Sequence, residues 1–312
     1  MPQPIVFASQ RYQYLRDDLL LHAGLQWEPG QLAIHNFPDG EHYHRILSNI
    51  RNQPVILLGG TIDDQETLEL FDLANGVVQC GASSLHIVIP FFGYSTMERA
   101  AKQGEIVKAK NRAILFSALP QTSQGNNIIM LDLHAEGISY YFDGNIRPVH
   151  LYGKSIVEEA ALELSKGEDF VLASTDAGRA KWVESLANDL HVPAAFVFKR
   201  RISGEETHVT AISADVKDKM VIIYDDMIRT GGSLLHAANA YKQAGAREIN
   251  VITTHGLFSG GAFEKIKKSN IIKRVICTNS HPAALAIKDP MLRIKTVSEL
   301  IISYFRDIGM HG

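Results

Sequence analysis

Short apolar segments alternate with amphipathic segments along almost the whole length of the chain. Most of the apolar segments are nearly continuous runs of Ile, Val and Leu, which is typical of parallel strands covered by helices on both faces. A chain that repeats strand, helix and strand in this way is expected to be an α/β protein with a doubly wound, mostly parallel sheet. The predicted strands are Pro4–Ala8, Pro54–Leu58, Ser84–Pro90, Asn127–Asp132, Phe170–Ser174, Ala194–Lys199, Met220–Tyr224 and Glu248–Thr254.

Two of the amphipathic segments show clear signs of where a helix ends. Gln65–Cys80 stops before Gly81, and Leu234–Ala244 stops before Gly245. A glycine directly after a helix commonly takes the left-handed conformation that closes it. We therefore predict a helix in each segment, followed by an apolar strand.

The alternation of strands and helices occurs once before and once after about residue 149. Because 312 residues are more than one hydrophobic core usually serves, two domains are expected. We predict an N-terminal domain of residues 1–149, which can include the C-terminal helix 296–312, and a C-terminal domain of residues 150–295. The similar tetrapeptides QCGA and QAGA each precede a strand, a weak sign of duplication.

Charge and cysteine content exclude several classes of function. The net charge of −3 and the pI near 6.5 give no electrostatic indication of nucleic-acid binding. No stretch approaches the ~20 apolar residues of a membrane span, and the N-terminus lacks the pattern of a secretory signal. Cys80 and Cys277 form no CxxC, so no zinc site or disulfide framework is predicted, and we expect both to be buried. A cytoplasmic location is expected.

The segment with the clearest chemistry is the turn Thr230–Ser233, which has the sequence TGGS and opens a predicted helix after the strand Val221–Tyr224. In a βαβ unit, ligands bind at the carboxyl ends of the strands. Gly231 and Gly232 allow close approach of the backbone, so that N–H groups and the helix N-terminus can hold a phosphate. A turn that merely uses glycines is the structural alternative.

Two carboxylates, Asp225 and Asp226, directly follow the apolar strand. They would repel a phosphate, but they suit the hydroxyl groups of a sugar or water bound to Mg²⁺. A phosphate site beside these acceptors is what a phosphorylated ribose requires. The segment resembles the ribose-phosphate loop of type I phosphoribosyltransferases and of phosphoribosyl-diphosphate synthetases. That resemblance implies that ribose 5-phosphate is bound by Asp225, Asp226, Arg229, Thr230, Gly231, Gly232 and Ser233.

Two further segments resemble the nucleotide-binding parts of the synthetases. Phe37–Glu41 resembles their base loop, although a simple turn between strands is the alternative. Ile87–Glu105 resembles their second nucleotide segment, with an arginine expected to reach the triphosphate. The implied nucleotide-binding residues are Phe37, Asp39, Glu41, Thr96, Met97 and Arg99.

The remaining matches concern metal binding and catalysis. His134 and Asp176 match the family's magnesium-binding positions, and Lys199 and Arg201 match the lysine and arginine of its mobile catalytic loop. A structural histidine and a basic surface triplet are the alternatives. Positive charge suits phosphoryl transfer, in which the protein supplies mainly position and electrostatic stabilisation.

The resemblance extends from about residue 5 to about residue 300. It implies two phosphoribosyltransferase-like domains and a Mg²⁺-dependent transfer of the diphosphoryl group of ATP, or of another nucleoside triphosphate, to ribose 5-phosphate. It also implies a homo-oligomer. Thr96-Met97 replaces the common Arg-Gln pair, and the segments around it are closer to the class II, plant-type form. A type I phosphoribosyltransferase and a non-catalytic regulatory homologue remain as alternatives.

Overall fold

The structure is a computed structural model, which describes residues 3–23, 27–144, 146–203 and 206–310. Strands and helices alternate along the chain as the apolar pattern predicts. The strands are β1 Ile5–Ala8, β2 Glu28–Pro29, β3 Leu32–Asn36, β4 His42–Ile46, β5 Pro54–Leu58, β6 Ser84–Ile89, β7 Asn126–Leu131, β8 Ile146–Leu151, β9 Phe170–Ser174, β10 Ala194–Ala195, β11 Val197–Ser203, β12 Glu206–Ile212, β13 Met220–Ile228, β14 Glu248–Gly256, β15 Arg274–Thr278 and β16 Leu292–Lys295. The α-helices are α1 Gln13–His22, α2 Asp64–Gln79, α3 Lys108–Ser117, α4 Lys154–Ser165, α5 Ala180–Asp189, α6 Gly232–Gln243, α7 Ala262–Lys268 and α8 Ser298–Asp307.

The chain divides into two compact units. Unit 1 is Met1–Tyr152 with Thr296–Gly312, and unit 2 is Gly153–Lys295. Unit 1 contains a six-stranded sheet in the order β2-β1-β5-β6-β7-β8, and every neighbouring pair in it is parallel. The antiparallel hairpin β3–β4 stands outside this sheet. The apolar side chains of the central strands and of α2 and α3 form the core.

Unit 2 repeats this topology. Its sheet has the order β10-β9-β13-β14-β15-β16, again entirely parallel, and the hairpin β11–β12 is separate from it. Adding eight to each strand number of unit 1 gives the strand order of unit 2. The hairpin also has the same place in the chain, because it follows β2 in unit 1 and β10 in unit 2. The prediction of an α/β fold with doubly wound, mostly parallel sheets is confirmed, and the shared topology supports a duplication.

Two predicted strands differ substantially from the observed ones, whereas the bounds of the others agree within two residues. The strand predicted at Met220–Tyr224 continues to Ile228, because β14 reaches Gly256 and goes on pairing with it. Asp225 and Asp226 therefore belong to β13 instead of following it. The strand predicted at Ala194–Lys199 is split into β10, which joins the sheet, and β11, which pairs with β12. The charged end of this segment is poorly suited to a buried sheet.

The two cysteines differ in exposure. Cys277 lies in β15 and is buried, and burial raises the pKa of its thiol to about 12. Cys80 follows α2 and is exposed, so the prediction that both are buried was wrong for Cys80. The residue lies past the last turn of the helix, where the packed face has ended. Among the described residues, no helix has both the length and the apolar character required to cross a membrane.

Candidate active site

The carboxyl end of β13 leads into a helix whose N-terminus is open. Gly231 has φ +77°, a left-handed conformation that turns the chain into α6, and within the described part of the chain this N-cap position makes no side-chain capping bond. A Cβ atom built on Gly232 would meet nothing within 4 Å. Thr230 and Ser233 are exposed on either side of the two glycines. N–H groups in the first turn of a helix need partners from outside it, so this end is suited to an anion.

Asp225 lies among other carboxylates beside this helix end. Its Oδ2 accepts a hydrogen bond of 3.0 Å from the hydroxyl of Thr175, and its Oδ1 accepts one of 3.1 Å from the backbone N–H of Asp226. Burial and the charges of Asp226 and Asp176 raise the pKa of Asp225 well above its usual range. Carboxyl groups with raised pKa values at the end of a strand are typical of functional sites.

Asp226 has different surroundings. Its side chain is 2% exposed, and its Oδ2 lies 2.8 Å from the guanidinium of Arg179. Sequence reasoning treated the two carboxylates alike and missed Arg179, although this arginine stands in the same ASTDAGRA segment as Asp176. The structure separates them: Asp225 is partly exposed, whereas Asp226 is buried in an ion pair.

Asp176 lies directly beyond β9, the neighbour of β13 in the sheet. Its Oδ1 accepts a hydrogen bond of 2.8 Å from the backbone N–H of Gly178, and its carbonyl oxygen accepts one of 2.6 Å from the Ser174 hydroxyl. These bonds fix the turn after the strand. The structure thus brings Asp176, Asp225 and the open end of α6 to the same edge of the sheet of unit 2.

Unit 1 provides an internal comparison, since β5 occupies the position in its sheet that β13 has in unit 2. The last residue pair between β1 and β5 is Ala8 with Leu58, and the last pair between β9 and β13 is Ser174 with Tyr224. Leu58 and Tyr224 are therefore equivalent positions in the two units. The two residues after Leu58 are glycines, Gly59 and Gly60, where unit 2 has Asp225 and Asp226.

In unit 1, other side chains fill the space where side chains at these two positions would lie. A Cβ atom on Gly59 would lie 2.6 Å from Leu70 Cδ1, and one on Gly60 would lie 2.6 Å from the Tyr12 ring. The following helix, α2, is capped by Asp63, whose carboxylate accepts a hydrogen bond of 2.9 Å from the N–H of Glu66. At the compared positions, unit 1 therefore has glycines in place of the two carboxylates and a capped helix in place of the glycine start of α6.

Phe37, Asp39 and Glu41 lie on the turn between β3 and β4. The N–H of Phe37 donates to the carbonyl of Glu41 over 2.8 Å, and the N–H of Glu41 donates to Asp39 Oδ1 over 3.1 Å. The Phe37 ring is 42% exposed, and its centroid is 4.9 Å from that of His35 in an edge-to-face contact. The turn is therefore ordered by its own backbone and presents an aromatic face to solvent.

Thr96 and Met97 lie in a short helical turn at Ser95–Met97, and Arg99 follows it. Both residues of the turn are exposed, and the Arg99 side chain is 82% exposed. The hydroxyl of Tyr141 donates a hydrogen bond of 2.5 Å to the carbonyl of Glu98. The segment thus presents Thr96, Met97 and Arg99 at the surface while its backbone is anchored.

His134 lies just beyond β7 and is exposed. The backbone leading to it is fixed, because the N–H of Leu133 donates to His150 Nε2 over 2.9 Å. Lys199 and Arg201 lie on β11, opposite Val209 and Thr207 of β12. The side chains of Lys199 and Arg201 fall outside the described part of the chain.

Two family profiles match the chain. The N-terminal domain of ribose phosphate pyrophosphokinase matches residues 5–119, and the phosphoribosyl synthetase-associated domain matches residues 170–310. The ribose-phosphate pyrophosphokinase of Caldanaerobacter subterraneus subsp. tengcongensis is 31% identical over 297 residues, which are 95% of this chain and 91% of that protein. The chain belongs to the ribose-phosphate pyrophosphokinase family.

Other comparisons agree with this placement. The ribose-phosphate pyrophosphokinase of Bacillus subtilis is 34% identical over 253 residues, which are 80% of this chain and 77% of that protein. The crystal structure of phosphoribosylpyrophosphate synthetase from Mycobacterium smegmatis has the same fold, with a TM-score of 0.84 at 24% identity over 98% of both chains. The predicted family is confirmed, and the protein is an enzyme of the ribose-phosphate pyrophosphokinase type, a transferase of nucleotide biosynthesis.

Proposed function

We propose that this pyrophosphokinase transfers the β,γ-diphosphoryl group of ATP, or of another nucleoside triphosphate, to the C1 hydroxyl of ribose 5-phosphate. The products are phosphoribosyl diphosphate and, from ATP, AMP. The observation that carries the proposal is the N-terminus of α6, which begins at a glycine without a capping side chain and follows the strand that contains Asp225. The corresponding helix of unit 1, α2, is capped by Asp63, and glycines stand in place of the two carboxylates. Residues 150–295 form the ribose 5-phosphate domain, and residues 1–149 form the nucleotide domain.

Ribose 5-phosphate binds with its phosphate at Thr230–Ser233. The hydroxyls of this turn and the N–H groups of the first turn of α6 donate to the phosphate oxygens. Arg229 adds a positive charge beside them. Asp225 accepts hydrogen bonds from the ring hydroxyls, and Asp226 keeps the strand end in place through Arg179.

The nucleoside triphosphate binds to residues of unit 1. Phe37 stacks on the base, and Asp39 and Glu41 accept hydrogen bonds from base and sugar. Arg99, which is 82% exposed, contacts the triphosphate. Thr96 and Met97 border the base. Copies of the chain associate as a homo-oligomer, whose size light scattering would give.

Mg²⁺ is the proposed metal, and His134 and Asp176 are the residues that would serve as its protein ligands. The side chains present fit this role, because Mg²⁺ usually keeps several waters and takes few protein ligands. Within the described ranges, no three or more His, Cys, Asp or Glu side chains are grouped to hold a metal ion. Such an ion, when bound, neutralises part of the charge of the triphosphate.

The reaction needs no covalent intermediate with the protein. The O1 hydroxyl attacks the β-phosphorus in line, the bond from that phosphorus to the α,β-bridging oxygen breaks, and AMP leaves with that oxygen. The hydroxyl proton passes to solvent. Lys199 and Arg201 neutralise the negative charge that the phosphoryl oxygens gain, which is the usual protein contribution to phosphoryl transfer.

We assign the protein to the class II, plant-type form, which implies use of donors beyond ATP and absence of control by phosphate and nucleoside diphosphates. Thr96 stands where the common form has an arginine beside the base. A shorter neutral side chain makes fewer charged contacts with the base and so selects it less strongly. Initial rates with ATP, dATP, GTP, CTP and UTP, with and without inorganic phosphate, test both features.

Product analysis tests the reaction itself. With ribose 5-phosphate, Mg²⁺ and ATP, we expect AMP and phosphoribosyl diphosphate in equal amounts, and no AMP when the sugar phosphate is left out. Tight nucleotide binding without turnover for any donor would instead indicate the regulatory homologue. Consumption of phosphoribosyl diphosphate with release of diphosphate would indicate a phosphoribosyltransferase.

The Lys199→Ala variant tests the assignment of the catalytic cation. Loss of one group that stabilises transition-state charge lowers kcat by roughly 10²–10³-fold, so we expect a fall of that size with the KM values little changed. Lys242→Ala, at an exposed lysine in the last turn of α6, is the matched control and should keep full activity. Near-normal turnover of Lys199→Ala would refute the assignment.

A further inference from the structure

In unit 1 the turn Gly59–Asp64, the counterpart of the ribose-phosphate loop, contacts the start of the segment 91–99. The N–H of Gly93 donates a hydrogen bond of 2.7 Å to the Thr61 hydroxyl, and the N–H of Thr61 donates one of 3.3 Å to the carbonyl of Phe91. A Cβ atom on Gly93 would lie 1.9 Å from the carbonyl oxygen of Thr61. The two backbones are therefore packed as closely as they can be.

A second contact continues the first. The hydroxyl of Tyr94 donates a hydrogen bond of 2.5 Å to Asp64 Oδ1, and the guanidinium of Arg112 bonds the same oxygen. Lys108 Nζ lies 4.9 Å and Arg112 Cζ lies 4.7 Å from the centre of the Tyr94 ring, as cation–π contacts. The side chain of Tyr94 is thus held both at its hydroxyl and at its ring.

The backbone of Tyr94 shows that this fixation matters. Its φ is +59°, in the left-handed region, which a bulky side chain rarely occupies without support from its surroundings. The N–H of Met97 donates a hydrogen bond of 2.8 Å to the carbonyl of Tyr94, so the turn that carries Thr96 begins from this residue. A change in the conformation of Tyr94 would move Thr96, Met97 and Arg99 together.

We propose that Thr61, Asp64 and Tyr94 are positioning residues that set the affinity for the nucleoside triphosphate. The turn that holds a sugar phosphate in unit 2 serves in unit 1 as the support of the nucleotide segment. This inference rests on the proposed function, because it takes residues 96–99 to contact the nucleotide. The three residues act through the backbone of that segment and do not touch the nucleotide themselves.

Kinetics of Tyr94→Phe and Asp64→Asn test the proposal. Tyr94→Phe removes a hydrogen bond to a carboxylate, and Asp64→Asn removes the charge that strengthens the bonds from Tyr94 and Arg112. For each variant we expect KM for the triphosphate to rise by about tenfold, with kcat and KM for ribose 5-phosphate changed less than twofold. In the double variant the two effects should add up to less than their sum, because both changes act on the contact between Tyr94 and Asp64. Asp72→Asn, at an exposed aspartate on α2, is the matched control with unaltered kinetics.

Thr61 supplies a conservative pair. Thr61→Ser keeps the hydroxyl that accepts from the N–H of Gly93, so its KM values should stay normal. Thr61→Val keeps the shape of the side chain but lacks the hydroxyl, so it should raise KM for the triphosphate. For Thr61→Val, the dissociation constant of the Mg²⁺–nucleotide, measured without turnover by fluorescence titration, should rise by the same factor as KM. This constant reports on nucleotide binding even if the proposed reaction were wrong. Failure of the positioning role and failure of the proposed function are therefore distinguishable.

Thermal unfolding of each variant separates positioning from folding. Folded variants with unchanged nucleotide affinity would overturn the proposal, and so would an equal rise of KM for both substrates. If Asp64→Asn does not fold, Tyr94→Phe and the Thr61 pair test the proposal, because each of these changes removes or replaces one non-hydrogen atom and leaves the charges in place.

Discussion

Arg179 and Asp226 form an ion pair whose carboxylate side chain is 2% exposed. Removing one partner of a buried ion pair costs about 3–5 kcal/mol, because the remaining charge loses its compensation. We therefore expect Arg179→Ala to lower the free energy of unfolding by about 3 kcal/mol. Urea denaturation followed by fluorescence of Trp182, which stacks on Tyr224 in the same unit, measures this change.

The double variant Arg179→Ala/Asp226→Asn provides the control for this prediction. Because it removes both charges, it should be destabilised by less than the sum of the two single variants. Additive losses would mean that the two side chains do not interact in solution.

Two adjacent glycines at the start of α6 differ in what a methyl group would do. Gly231 has φ +77°, so Gly231→Ala should cost about 1 kcal/mol of stability through backbone strain. Gly232 has open space around its Cβ position, and Ala favours helix, so Gly232→Ala should keep or raise stability.

The same substitution tests the phosphate site. If a phosphate approaches the backbone at Gly232, the methyl group of Gly232→Ala should raise KM for ribose 5-phosphate by about tenfold although the protein is no less stable. Calorimetry gives the stability, and initial rates give KM. An unchanged KM would place the phosphate elsewhere.

The contact between β6 and α8 contains a titratable group. His86 is buried, accepts a hydrogen bond of 3.2 Å from the Asn127 amide and packs against the ring of Phe305. Burial lowers the pKa of His86 from 6.5 to about 4. The unfolded chain therefore takes up the proton at higher pH than the folded chain. The stability due to neutral His86 is complete above pH 6.5 and is lost as the pH falls toward 4.

The size of this loss is about 3 kcal/mol between those pH values. In His86→Gln the group no longer titrates, so the difference in unfolding free energy between wild type and variant should shrink steadily as the pH is lowered. Urea denaturation between pH 7 and pH 4 gives this difference, which would stay constant if His86 were protonated in the folded protein.

Over the full chain, the division into two units brings the C-terminal residues into unit 1. Phe305 of α8 is fully buried, and its ring contacts Trp27 as well as His86. Truncating a buried aromatic side chain costs about 3–5 kcal/mol, so Phe305→Ala should destabilise the fold of unit 1. Hydrogen exchange should then accelerate in β1, β5 and β6 while β13 and β14 keep their protection. Equal loss of protection in both units would show that they unfold together.

The order of strands along the chain could be predicted from the sequence because the central strands of both sheets are nearly continuous apolar runs. Several strands outside the centres of the two sheets were missed, including the six-residue edge strand β8. In β15 only Val275, Ile276 and Cys277 are apolar, and the edge strand β16 is half-buried, so neither gives a run long enough to recognise. The hairpin of β3 and β4 is partly exposed and contains both apolar and polar residues, so its strands give no apolar run either.

By itself, the sequence determined the fold class, the family and the position of the glycine turn, because these depend on local patterns and on motifs in a fixed order. The tertiary structure decided which acidic and sulfhydryl groups are exposed. Asp225 and Asp226 are neighbours of the same type, yet only Asp226 meets Arg179, and Cys80 is exposed whereas Cys277 is buried. Burial depends on residues that are distant in the chain and adjacent only after folding, which no local pattern records.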